Sequence, residues 1–76
     1  METSLDRIDK FVGSRIRRRR NLLGIDETTL AQRIGVKTDD LQIYESGAAR
    51  VSAGDLRKIA EVLLVPPTFF FDGLTN

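Results

Sequence analysis

The chain has 76 residues, 12 Lys+Arg against 11 Asp+Glu, and neither Cys nor His. That length allows one domain and leaves no room for a separate catalytic or effector module. The missing Cys and His exclude zinc fingers, thiol chemistry, the usual metal clusters and Ser-His or Cys-His nucleophile pairs, so no enzyme, cofactor or metal is expected.

Residues 1–6 carry only Glu2 and Asp6 as charges and are expected to be a disordered N-terminal segment, with one domain over residues 7–74. Residues 7–20 set Arg7, Lys10, Arg15, Arg17, Arg18, Arg19 and Arg20 against Asp9 alone, a net +6, and residues 21–76 sum to −3. The overall +1 therefore conceals a strongly basic first segment. Ile8, Phe11, Val12, Ile16 and Leu23 recur at helical spacing, and Gly24 supplies a stop, so this segment reads as the first helix. Its block from Arg17 to Arg20 is either a phosphate-facing stripe or a solvated helix face.

Asp26 is placed to cap a second, short helix, with Leu30, Ala31 and Ile34 inward and Gly35 at its end. Thr38 is expected to cap a third, with Leu41 and Tyr44 apolar at i and i+3 and Gly47 beyond it. Ser52 and Asp55 resemble a capping box that opens a fourth helix, whose stripe is Leu56, Ile59, Ala60 and Leu63. Pro66-Pro67 break the chain, and Thr68 to Phe71 supply one further turn, counted as a fifth helix. No segment alternates with period two, so the domain is expected to be an all-α bundle with short connections. The longest apolar run, from Val62 to Val65, is far short of the roughly 20 residues a membrane span requires. With no export signal or disulfide, a cytoplasmic protein without a membrane or small-molecule partner is expected.

The informative stretch is ETTLAQRIGVKTDDLQIYES, from Glu27 to Ser46. Ala31 is small where two helices approach, and Gly35 offers the positive φ that a tight turn between them needs. Leu30, Ile34, Val36, Leu41 and Tyr44 can seat both helices on a third. Lys37, Thr38, Asp39, Asp40, Gln42 and Ile43 are left outside. In these residues the chain resembles the Cro/phage-repressor-like (xenobiotic-response-element type) helix-turn-helix family. Gly13-Ser14-Arg15-Ile16-Arg17, Leu23-Gly24-Ile25, Tyr44-Glu45-Ser46-Gly47 and the run from Leu56 to Leu63 also fit it, so the resemblance extends from Val12 to Gly73. It implies a five-helix lambda-repressor-like DNA-binding domain. The second helix would cross the DNA backbone and the third would lie in the major groove, in a dimer reading two half-sites about one helical turn apart.

Arg20 falls four residues after Ile16 and three before Leu23, which turns it toward the core side of the first helix. A buried guanidinium needs a carboxylate, and Glu45 beside Tyr44 is the natural candidate. Chains resembling this one commonly pair Arg and Glu at these positions. Base edges are expected to be read by Lys37, Thr38, Asp39, Gln42 and Ile43. Gln42 could pair with adenine, Asp39 could accept from cytosine N4, and Ile43 could meet a thymine methyl. Phosphate neutralisation would fall to Arg15, Arg17, Arg18, Arg33 and Arg50, while Arg57 reads as solvated.

Glu27, Asp39 and Asp40 depart from the resemblance, which implies Gln at the first and more polar or basic residues at the others. They either complement helix starts electrostatically, redirect readout toward cytosine, or abolish ordinary DNA binding. Leu64 stands where Gly is usual, so that helix end is expected to lack a left-handed cap. Three adjacent Phe residues cannot all point inward, which makes Phe69, Phe70, Phe71 and Leu74 dimer-interface candidates. Two functions remain open. One is a sequence-specific double-stranded DNA-binding transcriptional regulator acting as a homodimer. The other is a protein-interaction or antitoxin-like module that uses the same fold without ordinary operator binding.

Overall fold

A computed structural model describes the backbone of residues 4–74 and the side chains of residues 6–74. Four α-helices follow one another: α1 (Ser4–Leu22), α2 (Glu27–Ile34), α3 (Thr38–Ser46) and α4 (Ala53–Leu63), closed by a 3-10 turn, Pro67–Phe71. No strand occurs among the described residues. α1 begins at Ser4, inside the segment expected to be disordered, and residues 1–3 lie outside the described residues. The expected fifth α-helix is the 3-10 turn instead. Phe69 N–H donates to the Pro66 carbonyl at 2.9 Å and Asp72 N–H to the Phe69 carbonyl at 3.2 Å, a three-residue spacing. Five residues with proline at their start are too few to repay the nucleation of an α-helix.

Each helix contributes to one core. Val12 and Ile16 of α1 meet Leu30, Ala31 and Ile34 of α2, Leu41 of α3 and the α4 stripe of Leu56, Ile59, Ala60 and Leu63. Phe70 closes the bundle from below, fully buried, its ring edge-on to Phe69 at 5.5 Å between centroids. No helix among the described residues is long and apolar enough to cross a membrane.

The helix ends show how local chemistry sets the connections. Asp26 accepts from the Thr29 backbone N–H at 2.7 Å, and Gly35 takes φ 78 to end α2. The Thr29 amide, and after it the Thr29 hydroxyl, hold the Asp26 carboxyl below the usual carboxylate range against a small desolvation cost. A depressed folded pKa gives stability that is complete above the unfolded value and disappears as pH falls through the folded one. Asp26→Asn keeps an uncharged acceptor at this cap. The stability difference between wild type and Asp26→Asn should therefore shrink on acidification through and below the ordinary carboxylate range. Thermal melts over that range check it, and a pH-independent difference is the contrary result.

α3 differs from expectation at its start. The capping position is held by Lys37, which makes no side-chain cap bond, and Thr38 is already the first helical residue. Only Val36 and Lys37 separate the left-handed Gly35 from the new helix, so the chain re-enters helical geometry one residue before a Thr38 cap would allow. Ser52 does cap α4, accepting from Asp55 N–H at 3.1 Å. The Asp55 carboxylate is engaged elsewhere, accepting from the Tyr44 hydroxyl at 2.7 Å and tying α4 to α3.

Leu64 supplies the left-handed cap itself, at φ 62 and ψ 41. It is the one non-glycine residue with positive φ among the described residues, and its side chain is 76% exposed. An L-residue in this conformation costs roughly 1–2 kcal/mol, partly offset by the smaller unfolded-state freedom of Leu relative to Gly. Leu64→Gly should therefore raise folding stability by up to about 1 kcal/mol, read from urea denaturation.

Candidate nucleic-acid interface

The turn from Gly35 to Lys37 sets α3 across α2 so that Leu41 and Glu45 point into the bundle and the opposite side faces solvent. Thr38 with Gln42, and Asp39 with Ile43, are separated by four residues and form two adjacent outward rows. Lys37, Asp39 and Gln42 are exposed, Thr38 is half-buried, and Ile43 is 42% exposed. All five expected base-reading residues thus lie on or beside one helix face. Gln42 Nε2 donates to Glu27 Oε1 at 3.5 Å, which links the start of α2 to the outward side of α3. The face offers carboxylate and amide acceptors, one ammonium and one branched apolar side chain, an inventory that can match base-edge donors and a methyl group.

Asp39 and Asp40 occupy the first turn of α3, where Lys37 leaves the backbone N–H groups without a side-chain acceptor. Their negative charge therefore complements an otherwise uncapped helix start, worth about 0.3–1 kcal/mol each.

The orientation of α3 is held by a buried ion pair. Arg20 Nε donates to Glu45 Oε2 at 2.7 Å and Arg20 Nη2 to Oε1 at 2.9 Å, a bidentate contact. Arg20 Nη1 donates to the Ile25 carbonyl at 3.0 Å and to Asn21 Oδ1 at 3.1 Å. The two residues are 7% and 3% exposed. The hydrogen bond to Glu45 raises the Arg20 pKa above its ordinary value, with desolvation opposing it. Arg17 Nε adds a longer contact to Glu45 Oε1 at 3.3 Å from a half-exposed side chain. Next to this pair α1 and α3 touch through backbone, because Gly13 lies directly against the carbonyls of Tyr44 and Glu45.

The arginines expected to neutralise phosphate are not gathered together. Successive α1 residues advance by about 100°. With Gly13, Arg17 and Arg20 turned toward α3, Arg15 and Arg18 fall on the opposite side. Arg15 donates to the Asp72 carbonyl at 2.8 Å and stacks on Phe69, and Arg18 joins it, with Arg19, around a separate cleft. The structure does not bring Arg15 and Arg18 beside α3. Arg33 is exposed in the last turn of α2. Arg50, exposed after the α3–α4 turn, donates to Asp9 Oδ1 at 3.2 Å.

The aromatic tail also divides. Phe70 belongs to the core and cannot serve an interface, because the bundle needs one ring to close its base. Phe69 is half-buried, Leu74 is half-buried, and Phe71 is 42% exposed. Phe71 borders a small apolar concavity of about 80 Å³ with Ile8, Val12, Val51 and Leu56. Two features escaped the sequence reading. Arg19 Nε donates to the Leu63 carbonyl at 2.9 Å and so closes the C-terminus of α4. Leu22, 75% exposed, follows Arg15 and Arg18 along one helix face, a spacing that could have disclosed it.

The sequence profile described as helix-turn-helix domain matches residues 12–68. The chain is similar to an uncharacterized transcriptional regulator in the ATPase CF(0) region of Rhodospirillum rubrum, 45% identical over 71 residues, 93% of this chain and 66% of that protein. It is also similar to an uncharacterized HTH-type transcriptional regulator of Sinorhizobium medicae, 45% identical over 65 residues, 86% of this chain and 47% of that one. The chain thus spans about half to two thirds of the length of these curated relatives. Among solved structures, the restriction-modification controller protein C.AhdI from Aeromonas hydrophila superposes with a TM-score of 0.78 at 31% identity, covering 86% of this chain and 97% of that one. The P22 c2 repressor in complex with a synthetic operator superposes with a TM-score of 0.76 at 26% identity, covering 82% and 94%. The named curated relatives are regulators of transcription rather than enzymes.

Proposed function

Because the chain belongs to the helix-turn-helix domain family, we propose that it is a sequence-specific double-stranded DNA-binding transcriptional regulator. It acts in the cytoplasm as a homodimer with α3 in the major groove. The observation that carries this reading is the solvent-facing side of α3, where Lys37, Thr38, Asp39, Gln42 and Ile43 stand on a helix locked to α1 through Arg20 and Glu45. Arg17, Arg33 and Arg50 are the phosphate contacts. Arg15 and Arg18 drop out, being on the far side of α1. The subunit contact is assigned to Phe71 and the apolar concavity beside it.

A second reading, the same fold used as a protein-interaction or antitoxin-like module, is favoured by the three carboxylates of Glu27, Asp39 and Asp40 on the side that would meet phosphate. Selection of bound sequences from a random duplex pool, with binding titrations at several salt concentrations, separates the two. A regulator returns an enriched half-site repeat and a steep negative log–log salt slope. No enrichment at low salt overturns it.

Asp39→Ala then asks what the acidic start of α3 is for. Cytosine readout predicts discrimination at one position relaxed by about 1–3 kcal/mol. A helix-start role predicts unaltered base preference and a stability loss of about 0.3–1 kcal/mol. Sedimentation of Phe71→Glu tests the homodimer, which this variant should convert to monomer.

A further inference from the structure

On the side of α1 turned away from α3, Arg15, Arg18, Arg19, Leu22 and Phe69 line a cleft of about 330 Å³. We propose that this cleft docks an acidic protein segment that carries an apolar side chain. The proposal does not depend on DNA binding by α3.

Charge is the first argument. Among the described residues no carboxylate lines the cleft and none of its three arginines forms an ion pair. In the basic block from Arg15 to Arg20, these three cations remain once Arg20 and Arg17 have met Glu45.

Preorganisation is the second argument. The Arg15 guanidinium is held by the Asp72 carbonyl at 2.8 Å and lies 4.5 Å from the Phe69 ring centre. Arg19 is held through Nε by the Leu63 carbonyl at 2.9 Å, and among the described residues its terminal nitrogens make no hydrogen bond. Guanidinium forks fixed in this way lose little freedom on engaging a carboxylate.

The third argument is apolar surface. Leu22 is 75% exposed on the wall of the cleft. Leu64, 76% exposed, directly follows the carbonyl that Arg19 holds and keeps a left-handed backbone that glycine would adopt more easily. Strain retained at an exposed leucine is understandable where that side chain is presented to something. Nucleic-acid phosphate would satisfy the arginines and leave both leucines wet, and a small free anion would do the same. An acidic segment with a central apolar residue satisfies both features, its carboxylates on the guanidinium forks and its apolar group against Leu22 and Phe69.

The test uses the full chain and three fluorescein-labelled peptides: Glu-Asp-Leu-Glu-Asp, its neutral counterpart Gln-Asn-Leu-Gln-Asn, and Glu-Asp-Ser-Glu-Asp without the leucine. Anisotropy should show saturable binding of the first only. Arg18→Glu and Leu22→Ser should each weaken it by about tenfold or more. Neither exposed side chain makes a bond to a described residue, so folding should be retained, checked by circular dichroism. Amide NMR shifts should centre on Arg15, Arg18, Leu22 and Phe69. Absence of saturable binding, equal binding of the serine peptide, or complete displacement by inorganic phosphate or random duplex DNA overturns the proposal. So does a sedimentation result in which Leu22→Ser splits a dimer, since the cleft is then covered by a second copy.

Discussion

Arg20→Ala should lower the stability of the domain by about 3–5 kcal/mol, because it leaves the Glu45 carboxylate buried without its bidentate partner. A chain of this size has on the order of 4–11 kcal/mol in total, so the variant melts far below wild type or is largely unfolded at room temperature. At roughly 4–8 °C per kcal/mol, the midpoint should fall by about 12 °C or more. Arg17 can supply only partial replacement, since it reaches Glu45 Oε1 at 3.3 Å from a side chain that is 55% exposed. Arg17→Ala alone should cost less than about 1 kcal/mol. The double variant Arg20→Met with Glu45→Leu separates the penalty of an orphaned charge from the net value of the pair. It should recover most of the lost stability, as replacement of a buried ion pair by apolar groups often does. An unchanged midpoint for Arg20→Ala would show that Glu45 is adequately solvated without it.

Gly13→Ala should be nearly as damaging, for a reason with no electrostatic component. A Cβ at position 13 would lie 2.6 Å from the Glu45 carbonyl oxygen and 2.9 Å from its carbon, and closer still to the Tyr44 carbonyl oxygen. These are backbone atoms of α3 that cannot rotate away, so α1 and α3 must separate. The loss should be about 3 kcal/mol or more, at the upper end of overpacking costs. It should come with weaker DNA binding, since α3 is oriented by this contact. Gly54→Ala is the control. Position 54 has open space around a Cβ and lies in the first turn of α4, so the same change there should stabilise by about 0.4–1 kcal/mol. Opposite signs for the two substitutions in urea denaturation establish the close approach. Equal signs would refute it.

The α4 stripe of Leu56, Ile59, Ala60 and Leu63 was legible from spacing because a helix that buries one face must repeat apolar residues at three and four. The Asp26 and Ser52 caps were legible because a short polar side chain before an apolar run has few better uses. Thr38 misled because capping depends on which residue first turns helical, and that was settled by two residues of turn rather than by Thr38 itself. The last segment misled because Thr68 to Phe71 can extend as either helix type, and length with Pro67 decided for 3-10.

What the sequence determined alone is the four α-helices with their inward faces, the helix-turn-helix register from Glu27 to Ser46 and the need for a carboxylate at Arg20. All of these follow from local periodicity and from the cost of burying an unpaired charge. Only the tertiary structure decided where the basic charge goes. Five arginines stand among residues 15–20, and about 100° of rotation per residue spreads them around α1. Gly13 sets which side of that helix meets α3. From that single contact Arg20 enters the core, Arg17 borders it, and Arg15, Arg18 and Arg19 turn to the opposite side. The basic charge of α1 is therefore divided between two faces, with Arg17 beside α3 and Arg15, Arg18 and Arg19 around a cleft on the opposite side.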